Sequence, residues 1–129
     1  MTPTPITSEE NLSRFVTSKQ YFRPSNNTIK WNAFMPNKNG ETSVFRTYEL
    51  LDNEIWLLGE WHLTKQVLGR GDIAVSRVTD KGLKVVPDDT PMRHANILGW
   101  ADYDDRSKNM SIAQQLEEEV NSRNNFYLR

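Results

Sequence analysis

The segment Pro91-Met92-Arg93-His94-Ala95-Asn96-Ile97-Leu98-Gly99-Trp100 holds the densest group of chemistry-bearing side chains in the chain. An arginine can grip a carboxylate or phosphate at two points, a histidine moves protons near neutral pH, and an asparagine amide can donate to an anion. Read as a strand, the segment puts His94 and Asn96 on one face and Arg93 on the other, so a site using all three needs a bend. The plainer reading makes His94 a structural histidine and Asn96 a turn residue. Arg46 and Arg70 are further cations that could join such a site, Arg70 standing between two glycines in Gly69-Arg70-Gly71-Asp72. The candidate ligand-binding set is therefore Arg46, Arg70, Arg93, His94 and Asn96, with no residue nominated as catalytic.

Other constellations carry less. His62 lies among apolar neighbours in a helical pattern and reads as a boundary ring packing on a sheet. With two histidines and no cysteine, a conventional zinc site would need carboxylates to complete it. No metal or cofactor is expected. Asp102, Asp104 and Asp105, with Asp88 and Asp89 upstream, lack the calcium-loop pattern and read as solvated loop. Phosphate-binding glycine loops and nucleophile-elbow motifs do not occur. Trp56 and Trp61 lie five positions apart, roughly 140° around a helix, so both cannot face one narrow core stripe. An exposed tryptophan is a typical interface anchor. Trp61 and Trp100 are the candidate partner-binding residues.

These residues have to be carried by a recognisable set of elements. Residues 1–10 read as a flexible lead and 124–129 as a tail, flanking one domain over 11–123. Ser8 can cap a helix to about Ser18 with Leu12, Phe15 and Val16 inward. Thr28 to Met35 and Ser43 to Tyr48 read as an antiparallel hairpin around the turn at Pro36–Gly40. Asp52 is placed to cap a helix over about 53–68, with Gly69 as its left-handed C-cap. Gly59 inside that helix costs about 1 kcal/mol relative to Ala, which a close packing contact would explain. Strands follow over 73–78, 83–86 and 94–100, and an amphipathic helix over 111–122. The irregular order points to an α+β domain, a small mostly antiparallel sheet with a central and a C-terminal helix.

Composition bounds the function classes. The 129 residues suit one domain. Sixteen basic and seventeen acidic residues give a formal charge of −1, which argues against a nucleic-acid coat or a polybasic membrane binder. The lack of cysteine excludes disulfides and thiolate chemistry. No apolar run is long enough for a membrane span, and Met1 to Glu10 lacks the apolar core of a secretory signal, so a cytoplasmic protein is expected.

Several short stretches resemble a family of small uncharacterised bacterial proteins. They are Ala33-Phe34-Met35-Pro36, Ser43-Val44-Phe45-Arg46, Glu54-Ile55-Trp56 with Leu58-Gly59, Gly69-Arg70-Gly71-Asp72-Ile73, Gly82-Leu83-Lys84-Val85, and Arg93-His94-Ala95-Asn96-Ile97 through Gly99-Trp100. Where that family has Pro after the Gly-Trp pair, this chain has Ala101. The resemblance implies a bacterial or phage-related origin and supplies no catalytic residues. The leading functional expectation is a binding or adaptor protein acting through protein–protein contact. The alternatives are a small enzyme or anion or nucleotide-ligand binder using the Arg93-His94-Asn96 region, and a nucleic-acid-binding accessory protein.

Overall fold

A computed structural model describes residues 4–129 of the chain. Its centre is a six-stranded antiparallel sheet in the order β6-β7-β4-β1-β5-β8. The strands are β1 (Asn11–Val16), β4 (Thr42–Arg46), β5 (Gly69–Ala74), β6 (Lys84–Pro87), β7 (His94–Leu98) and β8 (Phe126–Leu128). A second, two-stranded sheet pairs β2 (Phe22–Arg23) with β3 (Thr28–Ile29). Three helices complete the α+β domain: α1 (Asp52–His62), α2 (Val75–Thr79) and α3 (Arg106–Asn121). Among the described residues no helix is long and apolar enough to cross a membrane.

The helix expected over 8–18 is instead β1, next to the middle of the sheet. A strand covered on both faces buries residues of both parities, so Leu12, Phe15 and Val16 satisfy a helical spacing and a central strand equally well. The expected hairpin does not form. The chain turns through a 3-10 segment at Trp31–Phe34, which buries the adjacent Ala33 and Phe34 together, as a half-buried strand would not. Before it, β3 pairs with β2, and after it β4 pairs with β1 and β7.

Helix α1 starts one residue early, with Leu51 at the cap position and Asp52 inside. The Glu54 carboxylate accepts from the Leu51 N–H at 2.8 Å. It ends at His62, six residues short of the expectation, because Leu63 is extended and Val67 folds back into the core. Gly69 is not a helix cap. It opens β5, where a Cβ would lie 2.8 Å from the Phe126 ring and 2.9 Å from the Tyr127 carbonyl oxygen. That closeness lets β8 pair with β5, so the expected tail contributes the sheet's last strand. The expected strand over 73–78 breaks after Ala74 into α2, and α3 begins five residues before Ser111.

Each sheet face has its own core. One buries Leu12, Val16, Val44, Ile73, Ala95 and Ile97 under Ala113, Leu116 and Val120 of α3, with Phe34 and Ile29. The other buries Phe15 and Phe45 under Ile55 and Trp56 of α1, with Val67. Gly59 permits this second contact, since a Cβ there would stand 2.7 Å from the Phe15 ring. The first ten residues are tied down from Thr4 onward. Arg46 donates to the Thr4 and Pro5 carbonyls, and the Ser8 and Glu10 carbonyls accept from Ser76 and Val75. Residues 1–3 lie outside the described residues.

Candidate functional site

Strand register brings distant residues together on the α1 face. In the β4–β7 pair Ser43 stands opposite Asn96, and Phe45 opposite His94. Directly paired residues share a face, so all four project to one side. The loop after β6 returns Asp88 to the same place, its N–H and that of Asp89 donating to the His94 carbonyl at 3.2 and 3.1 Å.

The side chains there form a continuous relay. His94 Nδ1 lies 2.7 Å from Asp88 Oδ1, and His94 Nε2 is hydrogen-bonded to the Ser43 hydroxyl. A carboxylate can only accept, so Nδ1 carries the proton towards Asp88, and in the neutral ring Nε2 accepts from Ser43. Asn96 Nδ2 and the Thr90 N–H also donate to the Asp88 carboxylate, at 3.3 and 3.2 Å. Partial burial raises the Asp88 carboxyl, but these bonds and the His94 charge outweigh it and hold it below its ordinary value. The His94 ring stands edge-on to Phe45 at 5.5 Å, and Phe45 stacks on His62 at 5.9 Å. Serine, histidine and aspartate linked in this order are the parts of an acyl-transfer relay: nucleophile, base and orienting acid. Ser43 is exposed and sits within an extended strand rather than at a sharp strand-to-helix turn.

The five ligand-binding candidates do not converge. His94 and Asn96 meet at Asp88. Arg46 is buried against Glu10, its Nε and Nη2 donating to the two carboxylate oxygens at 2.7 and 2.9 Å. Those bonds raise the guanidinium further above its ordinary range. Arg70 is buried on the same sheet face but against Asp72 and Asp52, with its guanidinium between the rings of Trp56 and Tyr127 at 4.5 and 4.7 Å. Burial raises the Asp72 carboxyl, against the opposing bonds from Ser13 and Arg70. Arg93 takes a left-handed backbone conformation, φ 69°, just before β7. Its Nη1 donates to the Arg46 and Tyr48 carbonyls, and it lies over the Tyr48 ring. The expected anion pocket fails because the chain's own carboxylates neutralise Arg46 and Arg70 and carbonyls hold Arg93.

The tryptophans separate as the helical offset requires. Trp56 is 8% exposed and Trp61 is 84% exposed. Trp61 borders a shallow apolar groove of about 310 Å³, lined also by Leu50, Leu57, Leu58, Met92 and His62. Leu57 and Met92 are largely exposed too. Trp100 is half-buried against the larger core, and its buried indole N–H has no partner among the described residues. His62 touches both features, lining the groove and stacking on the Phe45 ring that meets His94.

Ser43 and Asp88 were not among the candidates read from the sequence. Ser43 is 51 positions from His94, and no local signal marks that pairing. Asp88 stands six positions from His94 across a loop, where only a hairpin reading of β6 and β7 would have put the two together. No protein-family model, curated protein or solved structure matches the chain.

Proposed function

We propose that this is a cytoplasmic bacterial binding or adaptor module that docks a second protein on its α1 face, with Trp61 as the anchor. The observation that carries the reading is the 84% exposure of Trp61 beside Leu57 and Met92 around one groove. Clustered large apolar side chains in water mark interaction surfaces, and buried tryptophans dominate interface energetics. The balanced charge and the internal neutralisation of Arg46 and Arg70 favour a protein partner over nucleic acid. Tagged protein purified from its host should retain a stoichiometric partner. Trp61→Ala and Met92→Ala should each weaken that complex at least about tenfold, the order expected for an interface anchor. Val86→Ala, an exposed residue elsewhere, should not. Retention of the partner by both groove variants would defeat the proposal.

The hydrogen-bonded relay favours a second reading, acyl transfer from small esters. Ser43 Oγ would attack the carbonyl while His94 Nε2 takes its proton and returns it to the leaving alcohol. Water would then cleave the acyl-serine by the same route. A fluorophosphonate probe should label Ser43, and His94→Ala should abolish labelling. An unlabelled Ser43 in folded protein removes this reading.

A further inference from the structure

Arg46 and Arg70 are buried and Arg14 is half-buried, and they differ in what neutralises them. Arg46 has Glu10, and Arg70 has Asp72 and Asp52. Arg14 pairs with no carboxylate among the described residues. Its Nε donates to the Ala33 carbonyl at 2.7 Å and its Nη1 to the Ser43 carbonyl at 2.8 Å. A guanidinium carries five N–H donors, so these two bonds leave three without a protein acceptor. Burial pushes the Arg14 guanidinium below its ordinary range, opposed by Tyr21. A half-buried cation held only by neutral carbonyls keeps free donors that an arriving anion can take up.

Arg14 lines a cavity of about 470 Å³, the size of a small-molecule site, together with Tyr21, Asn32, Glu41, Tyr103 and Arg106. Arg106 is the first residue of α3, at the end where the helix dipole is positive. The two arginines outweigh Glu41. Asn32 adds an independent sign. Its Nδ2 donates to the Gln20 carbonyl, which can only accept, so the amide orientation is fixed. Its Oδ1 is then an acceptor, buried and without a donor. A cation short of an anion and an acceptor short of a donor line the same cavity.

We propose that this cavity binds a small organic oxyanion, a carboxylate or phosphate monoester, whose charged end meets Arg14 and Arg106 and whose body supplies an N–H or O–H to Asn32. The site is separate from the Trp61 groove and does not depend on it. The test is a titration of ¹⁵N-labelled protein with inorganic phosphate, phenyl phosphate and 4-hydroxybenzoate. The Arg14 Nε–H and the Asn32 and Tyr21 amides report on the cavity. At least one probe should move these resonances saturably, and which probe does so separates phosphate from carboxylate recognition. Arg106→Gln should weaken binding about tenfold or more, and Arg14→Lys, which keeps the charge but loses the fork, should weaken it further. Because Arg106 is exposed at a helix start, its variant decides the matter even if changes at Arg14 disturb folding. Unmoved resonances with all three probes, or binding unaffected by Arg106→Gln, would overturn the proposal.

Discussion

Replacing Glu10 with Gln tests whether the start of the chain is structural. The Glu10 and Arg46 side chains are 3% and 6% exposed, and the pair shares two hydrogen bonds. Glu10 also accepts from the Thr7 N–H at 3.0 Å. The amide keeps the volume but removes the charge and one acceptor, leaving Arg46 one side-chain oxygen and the Thr4 and Pro5 carbonyls. Breaking a buried pair by changing one partner costs about 3–5 kcal/mol. With a urea slope of roughly 1.5 kcal/mol/M, the unfolding midpoint should fall by about 2–3 M at pH 7. The pH dependence supplies the sharper test. Burial raises the Glu10 carboxyl, but Arg46 and Thr7 outweigh it, so its folded pKa lies below its unfolded one. A depressed carboxyl stabilises the fold above the unfolded pKa, about 4.3, and loses that contribution as pH falls through the folded value. The gap between wild type and Glu10→Gln should therefore be full at pH 7 and narrow below about pH 4. A variant as stable as wild type at pH 7, or a gap that widens in acid, would refute the reasoning.

Two further perturbations probe the α1 face. Gly59→Ala should gain about 1 kcal/mol of helix propensity but lose about 1–3 kcal/mol to overpacking, because three Phe15 ring atoms lie within 2.9 Å of the new Cβ. Phe15 is hemmed in by Phe45 and Trp56, so net destabilisation by urea is expected. In a Phe15→Leu background the same change should be neutral or stabilising, and stabilisation in wild type would count against the contact. Asp88→Ala should leave global stability within about 1 kcal/mol, since Asp88 is exposed, yet speed hydrogen exchange at the Thr90 amide that it holds. Unchanged exchange there would mean that the loop is ordered without Asp88.

The α+β class, the helices near 52 and 111 and the strand from His94 were legible because each has local patterning. The exposed position of one of the two helical tryptophans was legible from geometry alone. What failed was long-range. A strand covered on both faces shows no alternation, so β1 passed for a helix. Gly69 looked like a cap because its real constraint, the Phe126 ring, lies 57 positions away. Arg46 and Arg70 looked like free cations because Glu10, Asp52 and Asp72 do not announce themselves as their partners.

The same logic separates the arginines paired with the chain's own acids from those held by carbonyls. Arg14 drew no notice in the sequence, having no glycine or histidine beside it, yet like Arg93 it is held by carbonyls without an acid, and unlike Arg93 it lines the cavity of about 470 Å³. A structural cation in a dry setting is paired, because an unpaired one is penalised. An arginine held by carbonyls at the wall of a cavity has kept donors that folding did not use. Site residues are thus better sought by subtracting what the fold consumes than by ranking residue types. That subtraction removes Arg46 and Arg70, and leaves Arg14 with Arg106 on one side of the sheet and Ser43 with His94 on the other.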